Sequence, residues 1–211
     1  SDLSGEPGIV RLRNAAIRFD DIAANGDLTL NSSGARPRIT GDLSTAMLDL
    51  TPYIPADSAP QANRSANSGV SQWSDEPIDL APLRTMDSEL TIRADELKAR
   101  DIEISNVTAL ITVDRGRMTA RLNQFRLYGG TGEAVAVINA RSNTPSYSFN
   151  ANLDGLEAQP FLQAAAHFDR LIGDGGMTMD LTASGASPAA IMNSLSGTGR
   201  YDFTDGALRG V

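Results

Sequence analysis

The sequence predicts a mainly β protein: a long, curved, antiparallel sheet shaped like a trough, with two short helices near its C-terminal end. Three observations predict it. Apolar and polar residues alternate over most of residues 88–155, a pattern typical of strands with one apolar and one wet face. Turn-forming residues separate the alternating segments. Aromatic residues make up only 5% of the chain, so aliphatic side chains must build the interior.

Residues 1–54 form an N-terminal segment of short predicted strands. Leu28 and Leu30 alternate with polar neighbours, as in a strand with one buried face. We expect a turn at Asn25-Gly26-Asp27, because Asn-Gly readily adopts positive φ. Residues 55–77 are rich in Pro, Ser and Asn and poor in large apolar side chains. This composition predicts a flexible linker, because it buries too little apolar area to offset the entropy cost of ordering.

Residues 78–211 form the third predicted segment, a β-sheet domain. The turns 114–117 and 142–145 are predicted hairpin connections. The apolar phase changes twice, at Ser105-Asn106 and at Asn123-Gln124. Each change is either a β-bulge, which would curve the sheet, or a turn between two shorter strands.

Two short helices and a final hairpin complete this domain. The first helix is predicted from Pro160 to about Phe168, with His167 capping its C-terminal end. The second begins at Ser187-Pro188, because Ser is a good N-cap and Pro suits the first turn, and it stops at Gly197. The last hairpin is predicted to turn at residues 204–206.

The composition argues against several classes of function. The net charge is −8 and no basic face is visible, which disfavours nucleic acid as a partner. The chain has no Cys and a single His, so we expect no metal site and no cofactor. Tyr128-Gly129-Gly130-Thr131-Gly132 lacks the Lys and the helix of a phosphate-binding loop. With no catalytic constellation in the sequence, we expect that the protein is not an enzyme.

A series of short motifs follows residue 79 in a fixed order. Its members are Asp79-Leu80-Ala81-Pro82-Leu83-Arg84, Ile104-Ser105-Asn106-Val107, Arg126-Leu127-Tyr128-Gly129-Gly130, Phe168-Asp169-Arg170-Leu171-Ile172-Gly173, Leu195-Ser196-Gly197-Thr198-Gly199 and Asp205-Gly206-Ala207-Leu208-Arg209-Gly210. In this order they resemble the AsmA family of Gram-negative envelope proteins, which is related to TamB and to bridge-like lipid-transfer proteins. The resemblance implies a periplasmic β-structure, an inner-membrane anchor outside this fragment and a role in phospholipid transport to the outer membrane. It implies no active-site residue.

An amphipathic sheet of this size needs a cover for its apolar face, and two short helices are too few to supply it. The cover is another part of the chain, an envelope protein or the acyl chains of a phospholipid. The alternative to lipid transport is a scaffold or protein-interaction domain that aids outer-membrane protein assembly. The apolar strand residues that we expect to line a lipid groove are Leu90, Ile92, Ile104, Ile111, Val113, Met118, Leu122, Val135, Val137 and Phe149.

Overall fold

A computed structural model describes residues 2–19, 22–53, 73–166 and 169–208. The described residues form eleven strands, three α-helices and one 3-10 helix, Thr51–Tyr53. The strands are β1 Asp2–Glu6, β2 Ile9–Phe19, β3 Ile22–Asn31, β4 Arg38–Asp49, β5 Asp87–Ala99, β6 Ile102–Asp114, β7 Arg117–Leu127, β8 Gly130–Asn139, β9 Ser146–Glu157, β10 Leu171–Ser184 and β11 Ser196–Leu208. The helices are α1 Ala81–Thr85, α2 Ala158–Ala166 and α3 Pro188–Ser194.

All eleven described strands belong to one open sheet, in which each strand pairs with its neighbours in sequence order. This confirms the prediction of a mainly β fold built on one long sheet. The sheet is mixed rather than purely antiparallel, because β4 and β5 run parallel. A parallel pair needs a long connection between its strands, and the sequence between Asp49 and Asp87 provides it. The predicted linker 55–77 supplies most of that connection, and its residues up to 72 lie outside the described part.

The strands have irregularities where the sequence pattern changes phase. Between β7 and β8 the register shifts between Leu122 and Phe125, and Gln124 has a φ of +53°, so the predicted bulge at Asn123-Gln124 is confirmed. Asn106 also adopts positive φ, at +54°. However, β6 keeps one register with β7 from Ser105 to Asp114. In β6 and β7 the apolar side chains therefore change phase near the same place along the sheet, without a shift in the pairing of the two strands.

Two predicted turns lie instead inside long strands. Residues 25–27 belong to β3, and residues 204–206 belong to β11. At position 26 the chain uses Gly for close approach, because an added Cβ would collide with the carbonyl oxygen of Asp42 in β4. A sequence motif that favours a turn is thus used to let two strand backbones pack closely. The hairpin connections 114–117 and 142–145 are confirmed.

The two C-terminal helices lie close to their predicted positions. Helix α2 begins two residues before Pro160, and residues 167–168, with the expected His167 cap, lie outside the described part. Helix α3 begins as expected, and the Ser187 hydroxyl accepts a hydrogen bond from the N–H of Ala190 at 3.3 Å. Helix α1, which follows Asp79, was not predicted from the sequence. Its five residues are too few to produce a helical repeat of apolar positions.

Candidate functional site

One face of the sheet, which we call the apolar face, is the candidate site. Residues paired directly across neighbouring strands point to the same side of a sheet, so the pairings define rows that cross it. Two adjacent rows contain only apolar residues and glycine. The first is Leu12, Leu28, Gly41, Leu90, Ile111, Ala120, Ala136, Phe149, Leu181 and Gly197. The second is Ala15, Gly26, Leu43, Ile92, Ala109, Leu122, Ala134, Ala151, Met179 and Gly199.

The opposite side, which we call the polar face, has the reverse composition. The row on this side that lies next to the first apolar row, on the side away from the second, contains Arg11, Thr29, Thr40, Glu89, Thr112, Thr119, Val137, Ser148, Thr182 and Ser196. Nine of these ten residues are polar or charged. Salt bridges cross this face, with Arg38 and Glu89 at 2.6 Å and Arg93 and Asp42 at 3.5 Å. The polar face is therefore suited to water and the apolar face is not.

Helix α2 covers one end of the apolar face. Phe161 of this helix packs against a buried cluster and contacts the Tyr128 ring, with centroids 6.2 Å apart. Leu156 is fully buried there. The buried cluster contains Ala94, Leu97, Val107, Ala109, Phe125, Leu127, Ala134, Leu153 and Leu156. This end is a packed core of ordinary kind.

Helix α3 lies at the other end and packs less tightly. It leaves a cavity of about 300 Å³ whose lining includes Ile138, Tyr147, Phe149, Leu181, Ile191 and Leu195. Phe149 and Leu195 remain 37% and 44% exposed. The hydroxyl of Tyr147 is buried and has no hydrogen-bond partner among the described residues, and burial raises the pKa of this hydroxyl. The surface of the cavity is thus almost entirely apolar, and the hydroxyl of the lining residue Tyr147 is buried.

Most of the predicted groove residues lie on the apolar face. These are Leu90, Ile92, Ile104, Ile111, Val113, Met118, Leu122 and Phe149. Val113 is buried and the side chains at 90, 92, 111, 118 and 122 are half-buried. Ile104 packs against the buried cluster near α2. The half-buried side chains thus lie away from the end that α2 covers.

Two predicted groove residues are on the wrong side. Val135 pairs with Arg121 and Val137 pairs with Thr119, so both lie on the polar face. Ala136, which alternation with these valines would turn outward, pairs with Ala120 on the apolar face. The prediction failed because residues 134–138 of β8 are all apolar. The larger side chains of the valines suggested that they face the groove, whereas the pairing of β8 with β7 places them on the polar face.

The sequence-based site omitted the apolar residues of β2–β4, such as Leu12, Leu28 and Leu43. Their alternation was visible, but the linker separated them from the later strands. The parallel pairing of Leu43 with Ile92 brings them onto the same face. Leu181 and Met179 of β10 were also omitted, although they alternate with polar residues. Alternation identifies each strand, and only the register joins the strands into one surface.

The described residues offer little reactive chemistry. They contain no cluster of three or more metal-ligating side chains. The pKa of Asp49 is lowered mainly by hydrogen bonds from Thr51, and the pKa of Asp87 is lowered mainly by the N–H of Arg115. These carboxylates fasten loops at opposite ends of the sheet. None of the described helices has the length and hydropathy needed to cross a membrane.

Comparison with known proteins identifies one family. The model of the AsmA family matches residues 10–211. The match covers nearly all of β2, all of β3 and β4, and the segment that carries the sequence motifs. No curated protein and no solved structure matches the chain.

Proposed function

Because the chain belongs to the AsmA family, we propose that its apolar face carries phospholipid acyl chains in the periplasm. In this proposal the chain is part of a protein anchored to the inner membrane by a segment outside the sequence described. The protein supports transport of phospholipid to the outer membrane and its homeostasis. The single observation that carries the proposal is the pair of apolar rows that cross ten strands without a polar side chain.

The energetics favour a ligand with long apolar tails. Large exposed apolar surfaces in proteins mark binding sites, because apolar area left in water costs about 25 cal/mol per Å². Each CH₂ group of an acyl chain gains about 0.8 kcal/mol on burial, so a tail of ordinary length binds a shallow surface reversibly. Rows made of glycine, alanine and larger apolar residues provide such a surface. Reversible binding of this kind is what a lipid carrier requires.

Carriage of this kind needs no chemistry from the protein. We propose that the chain is not an enzyme and uses no cofactor, since binding by burial requires no proton transfer, nucleophile or metal ion. Its contribution is a surface that is apolar on one side and wettable on the other. The polar face, with its salt bridges and threonines, keeps the sheet in water while the apolar face is occupied.

Lipid extraction tests this proposal. The full-length protein is purified from cells in a mild detergent and washed, and the retained lipid is identified by mass spectrometry. We expect phospholipid in the wild-type protein and clearly less in a variant with Leu43→Asn and Leu122→Asn on the apolar face. The matched control carries Ser44→Asn and Arg121→Asn on the polar face and should retain the wild-type amount. Equal amounts in all three proteins, or co-purification of a protein that covers the apolar face without lipid, would favour the scaffold alternative.

A further inference from the structure

The end of the sheet that carries α1 and α3 also carries a cluster of arginines, which we call the arginine rim. The rim comprises residues 34–38, 81–89, 114–117 and 139–142. These are the segment at the start of β4, helix α1 with the start of β5, the β6–β7 turn and the end of β8. It contains six arginines, Arg36, Arg38, Arg84, Arg115, Arg117 and Arg141, and three carboxylates, Asp87, Glu89 and Asp114. The rim therefore has an excess of three positive charges in a chain whose net charge is −8.

The opposite end of the sheet differs in charge. Residues 48–51, 95–103, 126–131, 154–157 and 169–174 contain nine carboxylates and four basic side chains, an excess of five negative charges. Asp75, Glu76 and Asp79 precede α1 and lie toward the arginine end, and including them makes that end neutral. The net charge of the α2 end therefore repels an anionic ligand, whereas the arginine end, which is neutral overall, repels it less.

Hydrogen bonds hold the arginines of the rim close together. Arg36 donates from Nη1 to the carbonyl oxygen of Arg84 at 2.8 Å and from Nε to Asp87 at 3.1 Å. Arg84 in turn donates from Nε to the carbonyl oxygen of Ala140 at 2.7 Å. Arg141 and Arg115 share the carboxylate of Asp114. Within the described chain, Arg84 bonds only to carbonyl oxygens, so no carboxylate neutralises its charge.

Two buried hydrogen-bond donors without partners among the described residues also lie at the arginine end of the sheet. In the described residues, two buried side-chain polar atoms lack a hydrogen-bond partner, Nη2 of Arg36 and the hydroxyl oxygen of Tyr147. Each such atom costs free energy until an acceptor reaches it. One lies in the arginine rim and the other belongs to a residue that lines the α3 cavity. Ile138 of that cavity is two residues from Ala140, which binds Arg84, so the rim and the cavity are adjacent.

We infer that the arginine end of the apolar face is a mouth that takes one phospholipid, with its phosphodiester beside Arg36 and Arg84 and an acyl chain in the α3 cavity. Entry of that chain uncovers the buried hydroxyl of Tyr147, and an ester carbonyl of the lipid accepts its hydrogen bond. A phosphodiester supplies the acceptors and the negative charge that a guanidinium cluster binds best. The inference rests on the proposed function and adds where the head group lies and at which end the lipid enters.

Binding of short-chain lipids to the purified chain tests the mouth. The ligands are dihexanoyl phosphatidylglycerol, its dialkyl ether analogue, dihexanoylglycerol and inorganic phosphate, titrated by calorimetry below micelle-forming concentrations. We expect Arg36→Gln with Arg84→Gln to weaken phosphatidylglycerol binding about 10-fold or more and to leave dihexanoylglycerol within twofold. The control, Arg93→Gln with Arg200→Gln, removes the same charge from the polar face and should leave both ligands unchanged.

Tyr147→Phe provides an independent measurement, because it leaves the rim intact. It should weaken both ester lipids about fivefold and leave the ether analogue within twofold. In the wild-type chain, raising the salt concentration should weaken phosphatidylglycerol binding but not dihexanoylglycerol binding, a result that needs no variant to fold.

The outcomes separate the mouth from the carrier function. If the wild-type chain binds none of the lipids, the proposed function fails together with the mouth. If lipids bind but the rim and Tyr147 variants behave like the control, the mouth is overturned and the proposed function stands. If inorganic phosphate binds as tightly as phosphatidylglycerol and dihexanoylglycerol does not bind, the rim is an anion site only, and the inference is also overturned.

Discussion

The two faces of this sheet share one backbone and differ in almost every side chain. Rows of apolar residues and glycine cross one face, whereas threonine, serine and charged residues make up most of a neighbouring row on the other. The difference persists because the phase changes are coordinated between strands. In each of three neighbouring strands the alternation of apolar residues skips one extra position, between Ala94 and Leu97 in β5, Val107 and Ile104 in β6, and Leu122 and Phe125 in β7. The residues on both sides of each change belong to the buried cluster or pack against it. The coordinated phase changes thus keep the apolar side chains of these strands on one face of the sheet.

The largest effect should come from placing a charge on the apolar face. Leu122 is half-buried and packs against the buried cluster, so Leu122→Asp would desolvate an unpaired carboxylate. We expect a loss of about 3 kcal/mol in the free energy of unfolding, measured by urea denaturation. The adjacent Arg121→Asp on the polar face should change it by less than about 0.5 kcal/mol. Equal losses at the two positions would break the distinction between the faces.

A smaller effect should separate neighbours in β8, where the sequence alone misassigned the faces. Ala136→Lys places an ammonium group in an apolar row, whereas Val137→Lys places it among threonines and serines. We expect Ala136→Lys to weaken binding of a fluorescent fatty acid about 10-fold, through lost apolar contact and desolvation. Val137→Lys should stay within twofold of the wild type. Weaker fatty-acid binding by Val137→Lys than by Ala136→Lys would place the valines on the lipid-binding face.

The smallest effect concerns pH and belongs to the arginine rim. The N–H of Arg115 and the guanidinium of Arg36 hold the pKa of Asp87 below its ordinary value of 3.8. Because the folded pKa is the lower one, this stabilisation is present above about pH 4 and is lost as the pH falls through the folded value. The wild-type melting temperature should therefore fall slightly more between pH 5 and pH 3 than that of Asp87→Asn. Parallel curves for the two proteins would show that Asp87 contributes nothing.

The sequence predicted strands better than it predicted their assembly. Alternation located the strand residues, and capping residues located α3, because both signals are local. The parallel pairing of β4 with β5 joins residues 49 positions apart across the linker, for example Leu43 and Ile92, and no local pattern encodes it. Gly26 was misread because a glycine that permits a turn also permits close strand packing. In β8, five consecutive apolar residues left the face undetermined until β7 fixed the register.

Photo-crosslinking in cells tests the central claim, that the apolar face carries acyl chains. A photoreactive amino acid is placed in the full-length protein at Leu43, Ile92 or Leu122 on the apolar face. Matched positions on the polar face are Ser44, Arg93 and Arg121, each one residue away, with Val137 as a further outward position. After irradiation, mass spectrometry should find phospholipid attached at the first three positions and not at the other four. Equal labelling on both faces, or no lipid at any position, would contradict the claim.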